Sequence, residues 1–239
     1  MNAPRGPAGE PLRALQAVVF DFDGVIADSE PMHLRAFQRT LTGIGIELTA
    51  ADYFGQYLGF DDVGVFHAIA RHTGRELHDD EIARLIEQKG AHLRSMMSAG
   101  DALFPGARDF IRTAAATVPV AIASGALRHE IDEVLGAAGL ADLFPVIVAS
   151  GDTPDSKPSP APYDLAFRRL QASTGRTLER HRCVAIEDSR WGLDSARGAG
   201  LRCVGVTNSY PAHELPGAEL IAGGLSDLTL DALDGLCSR

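Results

Sequence analysis

The sequence predicts an α/β fold in which a doubly wound parallel sheet carries an inserted block of α-helices. From about residue 104 onward, short apolar segments rich in β-branched residues alternate with amphipathic segments of helical periodicity. The apolar segment Val18–Phe20 also has the character of a buried strand, whereas residues 31–100 show helical periodicity alone. The first strand therefore joins the later sheet, and the helical block interrupts it.

This alternation sets the predicted domain limits. Residues 15–30 and 101–239 form the core, and residues 31–100 form a helical cap domain, with hinges near Ser29-Glu30-Pro31 and Gly100-Asp101. Residues 1–14 are predicted to be a flexible tail. They contain Pro, Gly and Ala, and they lack the apolar central region that a signal peptide would have.

The individual elements are predicted from the spacing of apolar residues and from the capping, Gly and Pro residues that end each segment. In the insertion, helices are predicted over residues 30–41, after a cap at Thr49, around Phe66 and Ile69, and from Asp79. In the core, the predicted helices are residues 107–117, 128–138, 160–171, 191–199 and 228–236. The later strands are residues 118–123, 146–149, 183–186 and 203–206, with an edge strand at 220–221.

Composition excludes several classes of partner. The formal charge is −10, with 32 acidic against 22 basic residues, so the chain has no basic field for nucleic acid or an anionic membrane. No apolar run reaches the length of a membrane helix. The three cysteines lack close-pair spacing, which predicts reduced, buried thiols in a cytoplasmic protein. No partner protein is inferred.

Polar residues follow the predicted strands where ligands gather in an open parallel sheet. Asp21 and Asp23 end the first strand, and burying such carboxylates requires a compensating cation or phosphate-bearing substrate. Alternatively, Asp21 caps a helix and Asp23-Gly24 forms an ordinary turn. Ser124 and Gly125 follow the next strand and offer a phosphate cradle, or a simple capped turn.

The later strand ends add an ammonium and a second acidic pair. Lys157, flanked by prolines before a helix, can neutralise a carboxylate and a phosphate, although a lone lysine is usually solvated. Glu187 and Asp188 follow the fourth strand of the core. Clustered hard oxygen ligands favour Mg²⁺, which retains waters and accepts a phosphate oxygen in its shell.

These motifs resemble those of haloacid dehalogenase-like phosphohydrolases with a helical cap, in particular the β-phosphoglucomutase-like and sugar-phosphate phosphatase group. The resemblance rests on Asp21-Phe22-Asp23-Gly24-Val25, Ser124, Lys157-Pro158 and Glu187-Asp188, in that order, and spans about residue 17 to the end. It implies a Rossmann-like core and a Mg²⁺-dependent phosphatase acting on a small phosphorylated metabolite such as a sugar phosphate.

The resemblance also implies roles for the matched residues. Asp21 is the nucleophile that becomes an aspartyl phosphate, and Asp23 is the general acid and base. Mg²⁺ is held by Asp21, the backbone carbonyl of Asp23, and Asp188, with Glu187 as a direct or water-mediated ligand. The phosphoryl oxygens are bound by Ser124, the Gly125 amide and Lys157.

Residue identity separates several alternatives. Dehalogenases and phosphonatases of this fold lack the second aspartate that Asp23 supplies, and no glycine-rich nucleotide loop follows the first strand. β-Phosphoglucomutases carry an arginine in the first cap loop, where residues 58–63 offer two acids instead, which disfavours a bisphosphate intermediate and, more weakly, a bisphosphorylated substrate. A mutase remains the alternative, followed by a non-catalytic binding protein.

Two further residues match cleft-facing positions of relatives. Glu30 and His33 are expected to contact substrate or to order the hinge, and His33 serves equally well as a hinge-packing residue.

Overall fold

The computed structural model describes residues 13–57, 60, 62–97 and 102–238. Its strands are β1 (Ala17–Phe20), β2 (Val120–Ala123), β3 (Val146–Val148), β4 (Cys183–Glu187), β5 (Arg202–Val206) and β6 (Leu220–Ala222). The predicted tail up to residue 12, the hinge at Gly100-Asp101, and Leu58, Gly59 and Asp61 of the first cap loop lie outside the described residues.

The described strands form one parallel sheet with the order β3-β2-β1-β4-β5-β6. Every residue of β1, β2, β3 and β4 is buried, as expected for apolar strands covered on both faces. The chain runs outward from β1 to β3 and then returns to place β4 beside β1. In such doubly wound sheets this reversal creates a crevice at the carboxyl ends of the strands. The predicted fold class is confirmed.

The helices agree closely with the helical periodicity. They are α1 (Glu30–Thr42), α2 (Ala50–Asp52), α3 (Asp62–Thr73), α4 (Asp79–Met97), α5 (Ala107–Ala115), α6 (Arg128–Ala138), α7 (Ala161–Thr174), α8 (Arg190–Gly198) and α9 (Leu230–Cys237). A turn of π-helix, Tyr53–Tyr57, follows α2, and short 3₁₀ turns cover Ala141–Leu143, Arg180–Arg182, Ala212–Glu214 and Leu225–Asp227. Thr49 caps α2 as predicted, accepting a hydrogen bond from the Asp52 amide.

The chain divides into two compact units. The core unit contains the described residues up to Asp28 and from Leu103 onward, and the helical unit spans Ser29–Ala102. Each has its own apolar interior, with Phe37 and Phe66 at the centre of the helical unit. The predicted domain limits and the role of the helical unit as a cap stay predictions.

The core residues that flank the helical unit in the chain are paired with each other. Ala27 pairs with Leu103 in an isolated antiparallel bridge, and the Phe104 amide donates to the Ile26 carbonyl oxygen at 3.0 Å. The core therefore fixes the distance that the insertion must span.

The three cysteines are free and buried, in agreement with the prediction of reduced thiols. Burial raises the pKa of the Cys203 thiol to about 12, so the unreactive thiol form prevails near neutral pH. Within the ranges that the structure describes, no helix combines the length and apolarity needed to cross a membrane.

Candidate active site

Asp21 lies at the carboxyl end of β1, where the strand passes into a tight turn. Its side chain is buried. Its Oδ1 accepts a hydrogen bond from the backbone amide of Phe22 at 2.7 Å and another from Nζ of Lys157 at 2.8 Å. Both donors converge on Oδ1, which favours Oδ2 as the atom that faces a ligand. The alternative of a simple helix cap does not account for the partly buried ammonium of Lys157 beside Asp21.

Lys157 joins the ends of β1 and β4. Its Nζ donates to Oδ1 of Asp21 at 2.8 Å and to Oε1 of Glu187 at 2.6 Å. Burial acts to lower the pKa of Lys157, but the two carboxylates outweigh it and raise the pKa above its usual value. The lysine is therefore a charged bridge within the site rather than a solvated surface residue.

Glu187 is the last residue of β4 and is fully buried. Oε1 also accepts from the Tyr163 hydroxyl at 2.8 Å, and Oε2 accepts longer bonds of 3.3 Å from the Asp188 amide and the Ser189 hydroxyl. Burial, followed by the charge of Asp21, raises the pKa of Glu187. The same two causes raise the pKa of Asp188, in the order of burial and then Asp21.

Glycines allow this close packing at two positions. Gly24 has φ 74°, and a Cβ there would lie 1.8 Å from Oδ2 of Asp188. A Cβ on Gly192, in the first turn of α8, would lie 1.9 Å from the Glu187 carboxyl group. Larger side chains would therefore displace both acidic residues.

The carboxylates of Asp21, Glu187 and Asp188 form a candidate metal centre. Each offers one oxygen, these oxygens lie within 4.8 Å of one another, and all three residues are buried. Three carboxylates against the single ammonium of Lys157 leave surplus negative charge out of water, which a hard divalent cation would neutralise. The donor set therefore fits a cation such as Mg²⁺.

The remaining core residues of the predicted site follow β1 and β2. Asp23 is exposed in the turn after Asp21 and pairs with Ala27. Phe20 pairs with Ile122, so Asp21 and Ser124 end adjacent strands at one edge of the sheet. Ser124 is buried, and its hydroxyl oxygen accepts from the Ala126 amide at 3.0 Å, which orients the loop.

Gly125 is exposed between these residues, and a Cβ there would contact nothing within 4 Å. The hydrogen bond accepted by Ser124 agrees with the alternative of a simple capped turn. Phosphate binding by the Gly125 amide stays a prediction.

Glu30 and His33 belong to the helical unit and have partners within it. Glu30 accepts from the Tyr53 hydroxyl at 3.0 Å. Nδ1 of His33 lies 3.0 Å from Nζ of Lys89, which also binds Asp62 at 2.7 Å. Burial and the adjacent ammonium lower the pKa of His33 to about 4, so its Nδ1 accepts from Lys89. Substrate contact by either residue stays a prediction.

Three polar residues join the core site without having been predicted. They are Tyr163 on α7, which binds Glu187, and Asn208 and Ser209, which follow β5. The Asn208 side chain donates to the Gly24 carbonyl oxygen at 2.8 Å, and Ser209 hydrogen bonds to Asp188. The strand-end rule that identified the other sites also covers Asn208 and Ser209, whereas Tyr163 carries only the helical spacing of a core residue.

A doubly wound sheet whose strand ends gather acidic residues around one lysine defines an enzyme site for an anionic group and a hard cation. Residues 15–200 match the haloacid dehalogenase-like hydrolase family. The chain belongs to this family.

Similarity to individual proteins extends over most of the chain. Protein CbbY of Cereibacter sphaeroides is 32% identical over 237 residues, covering 91% of this chain and 98% of that protein. A phosphoglycolate phosphatase of Yersinia pseudotuberculosis is 28% identical over 200 residues, covering 83% of each. The predicted family and enzyme class, a haloacid dehalogenase-like phosphatase, are confirmed.

Solved structures show the same architecture. CbbY from Rhodobacter sphaeroides in complex with phosphate superposes with a TM-score of 0.75 at 30% identity, covering 92% of this chain and 99% of that one. A variant of that protein in complex with xylulose-(1,5)bisphosphate gives a TM-score of 0.74 at the same identity. A β-phosphoglucomutase from Clostridium difficile, at 21% identity and a TM-score of 0.70, shares the fold.

Proposed function

We propose that this protein is a Mg²⁺-dependent phosphatase that hydrolyses a small sugar phosphate through an aspartyl-phosphate intermediate on Asp21. The observation that carries the proposal is the position of Lys157, whose ammonium lies between Asp21 and Glu187 inside a buried acidic cluster. An ammonium held there serves a negatively charged group that arrives beside Asp21.

In the first step, a carboxylate oxygen of Asp21 attacks the phosphorus atom of the ester. A bond forms between that oxygen and phosphorus, the bond from phosphorus to the sugar oxygen breaks, and Asp23 gives its proton to the departing oxygen. Asp23 suits this task because it is exposed and lies two residues from Asp21, in a turn fixed at Gly24.

In the second step, water attacks the phosphorus of the aspartyl phosphate. Asp23, now ionised, takes a proton from the water, the bond between phosphorus and Asp21 breaks, and inorganic phosphate leaves. Asp21 and Asp23 return to their starting protonation states, so the cycle consumes one water for each ester.

The other residues of the site bind the negatively charged phosphoryl group and the cation. Lys157, the Ser124 hydroxyl and the Gly125 amide bind phosphoryl oxygens, while Asp21, Asp188, Glu187 and the Asp23 carbonyl would hold Mg²⁺. When bound, the cation would reduce repulsion between the Asp21 carboxylate and the phosphate dianion. Glu30 and His33 are proposed to contact the sugar or to order the connection to the helical unit.

A sugar phosphate is proposed because CbbY, a relative similar over nearly the whole chain, is described in complex with a phosphorylated pentulose. A screen should therefore contain monophosphates and bisphosphates of pentoses, pentuloses, hexoses and hexitols, together with phosphoglycolate. Each reaction is measured for inorganic phosphate and for isomerised sugar phosphate, with and without Mg²⁺. Isomerised product without phosphate would identify a mutase instead.

The decisive variant is Asp21→Asn. Loss of the nucleophile should lower kcat by roughly 10⁴-fold or more. Asp132→Asn, which removes an exposed carboxylate paired with Arg128 on α6, is the matched control and should keep the parental rate. Phosphate release by Asp21→Asn at the parental rate would refute the assignment of Asp21, and no turnover of any ester by a folded, metal-binding protein would favour a binding role.

A further inference from the structure

Tyr163 contacts two charged residues of the site, Glu187 and Lys157. Its side chain is fully buried, its hydroxyl donates to Oε1 of Glu187 at 2.8 Å, and the centre of its ring lies 5.2 Å from Nζ of Lys157. The same Oε1 accepts from Lys157 at 2.6 Å. One oxygen of Glu187 thus receives two short hydrogen bonds from different residues.

We propose that Tyr163 is a positioning residue for phosphoryl transfer, acting through Glu187. By holding Oε1, the hydroxyl fixes the orientation of the Glu187 carboxylate and thereby the place where Lys157 is anchored beside Asp21. The ring supplies a second contact on the ammonium. This inference rests on the proposed function, since Lys157 needs a fixed position only if it binds the transferring group.

The two carboxylate oxygens of Glu187 differ in their hydrogen bonds. Oε1 has two bonds shorter than 3 Å, whereas Oε2 has two bonds of 3.3 Å from Asp188 and Ser189. Oε2 is therefore the more weakly held oxygen and the one suited to a cation or its water. Without the phenol hydroxyl, rotation of the carboxylate would exchange these roles.

Packing alone does not require a tyrosine at this position. Tyr163 lies on the buried face of α7 with Ala166, Phe167 and Leu170, where a phenylalanine would fill the same space. The hydroxyl is instead placed on a carboxylate of the site, where its donation to a buried charge is worth more than a neutral hydrogen bond.

Tyr163→Phe removes the hydroxyl and keeps the ring. We expect kcat/KM to fall about tenfold, mostly through kcat, because one hydrogen bond to a charged group is lost. Tyr57→Phe, which removes a phenol hydroxyl that lies 3.4 Å from His72 in the helical unit, is the matched control for loss of a hydroxyl.

A double-mutant cycle separates positioning through Glu187 from a general structural role. The cycle compares the parent, Tyr163→Phe, Glu187→Gln and the double variant. If Tyr163 acts through Glu187, Tyr163→Phe should cost less than about twofold in the Glu187→Gln background. An equal loss in both backgrounds, or no loss in the parent, would overturn the proposal.

Binding of Mn²⁺ without substrate, followed by electron paramagnetic resonance, tests the same cycle independently of turnover. Tyr163→Phe should raise the dissociation constant about threefold in the parent and should leave it unchanged in Glu187→Gln. Parental affinity in Tyr163→Phe, or the same increase in both backgrounds, would overturn the proposal. If the parent hydrolyses no ester, the proposed function fails, while the Mn²⁺ cycle still decides whether Tyr163 orients Glu187.

Discussion

Each unit of the molecule contains a lysine that is largely shielded from solvent and paired with a carboxylate, and the two lysines have different electrostatic surroundings. Lys157 of the core unit contacts Asp21 and Glu187, and the carboxylate of Asp188 belongs to the same cluster. Lys89 of the helical unit is 2% exposed and contacts one carboxylate, Asp62, and the neutral ring of His33. Among the residues that the structure describes, the core cluster has excess negative charge, whereas Lys89 and Asp62 of the helical cluster compensate each other.

The difference separates the proposed binding site from a cluster that stabilises the helical unit. A balanced ion pair has its charges compensated without a ligand, so its contribution is to the fold. The core cluster retains uncompensated charge, and burial, followed by the charge of Asp21, raises the pKa of both Glu187 and Asp188. A cluster that is costly to bury when empty gains most from a cation and an arriving substrate.

The largest expected effect comes from removing the core lysine. Lys157→Met should lower kcat by about 10² to 10³-fold, because the transferring phosphoryl group loses a charged donor. Lys157→Arg keeps the charge but not the shape and should retain more activity. Steady-state rates on the best ester of the screen test this, and a rate for Lys157→Met within threefold of the parent would contradict the role of Lys157.

Removing a carboxylate from each cluster should have opposite effects on stability. In metal-free buffer at pH 8, Asp62→Asn should lower the free energy of unfolding by about 3 kcal/mol, because Lys89 loses its ion pair. Asp188→Asn should raise it by on the order of 1 kcal/mol, because a carboxyl with a raised pKa destabilises the fold when ionised.

Urea unfolding of both variants with and without Mg²⁺ measures this contrast. Mg²⁺ should stabilise the parent and Asp62→Asn, and much less so Asp188→Asn. The comparison of the two clusters would be wrong if both substitutions lowered stability equally in metal-free buffer.

The last prediction concerns the pH dependence of the helical cluster. His33 has its pKa lowered to about 4 by burial and by Lys89, so the unfolded chain binds its proton more readily. Stability contributed by the neutral ring is present above pH 6.5 and is lost as the pH falls toward 4, by roughly 2 kcal/mol at pH 4.5.

His33→Asn keeps an acceptor for Lys89 and does not titrate. The difference in unfolding free energy between the parent and this variant should therefore change between pH 7 and 4.5, and a constant difference would argue against a buried neutral His33.

The strand ends of the core could be identified from the sequence because parallel topology brings them to one edge. Asp21, Lys157 and the consecutive pair Glu187-Asp188 are far apart in the chain, yet they all lie at a strand end or in the loop after one, and the structure brings them together. Knowledge that strands run parallel is sufficient for that inference. Asn208 and Ser209 follow β5, so the same inference from strand ends could have identified them.

The partners that depend on side-chain packing were not accessible in this way. Tyr163 has the spacing of an ordinary core residue, and the contact of its hydroxyl with Glu187 is a tertiary feature. Lys89 does carry a signal, since it lies four residues after Leu85 and four before Leu93 on the buried face of α4. Its partner Asp62 comes from another helix, which periodicity cannot indicate.

The core holds the two ends of the insertion next to each other through the pairing of Ala27 with Leu103. An inserted segment of any length meets the same end-to-end distance, and each doubling of a flexible connection costs only about 0.6 kcal/mol in closure entropy. Evolution can therefore replace or lengthen the inserted segment without moving the acidic edge of the sheet. Diversification of the compounds that such enzymes process needs no change in the part that performs the chemistry.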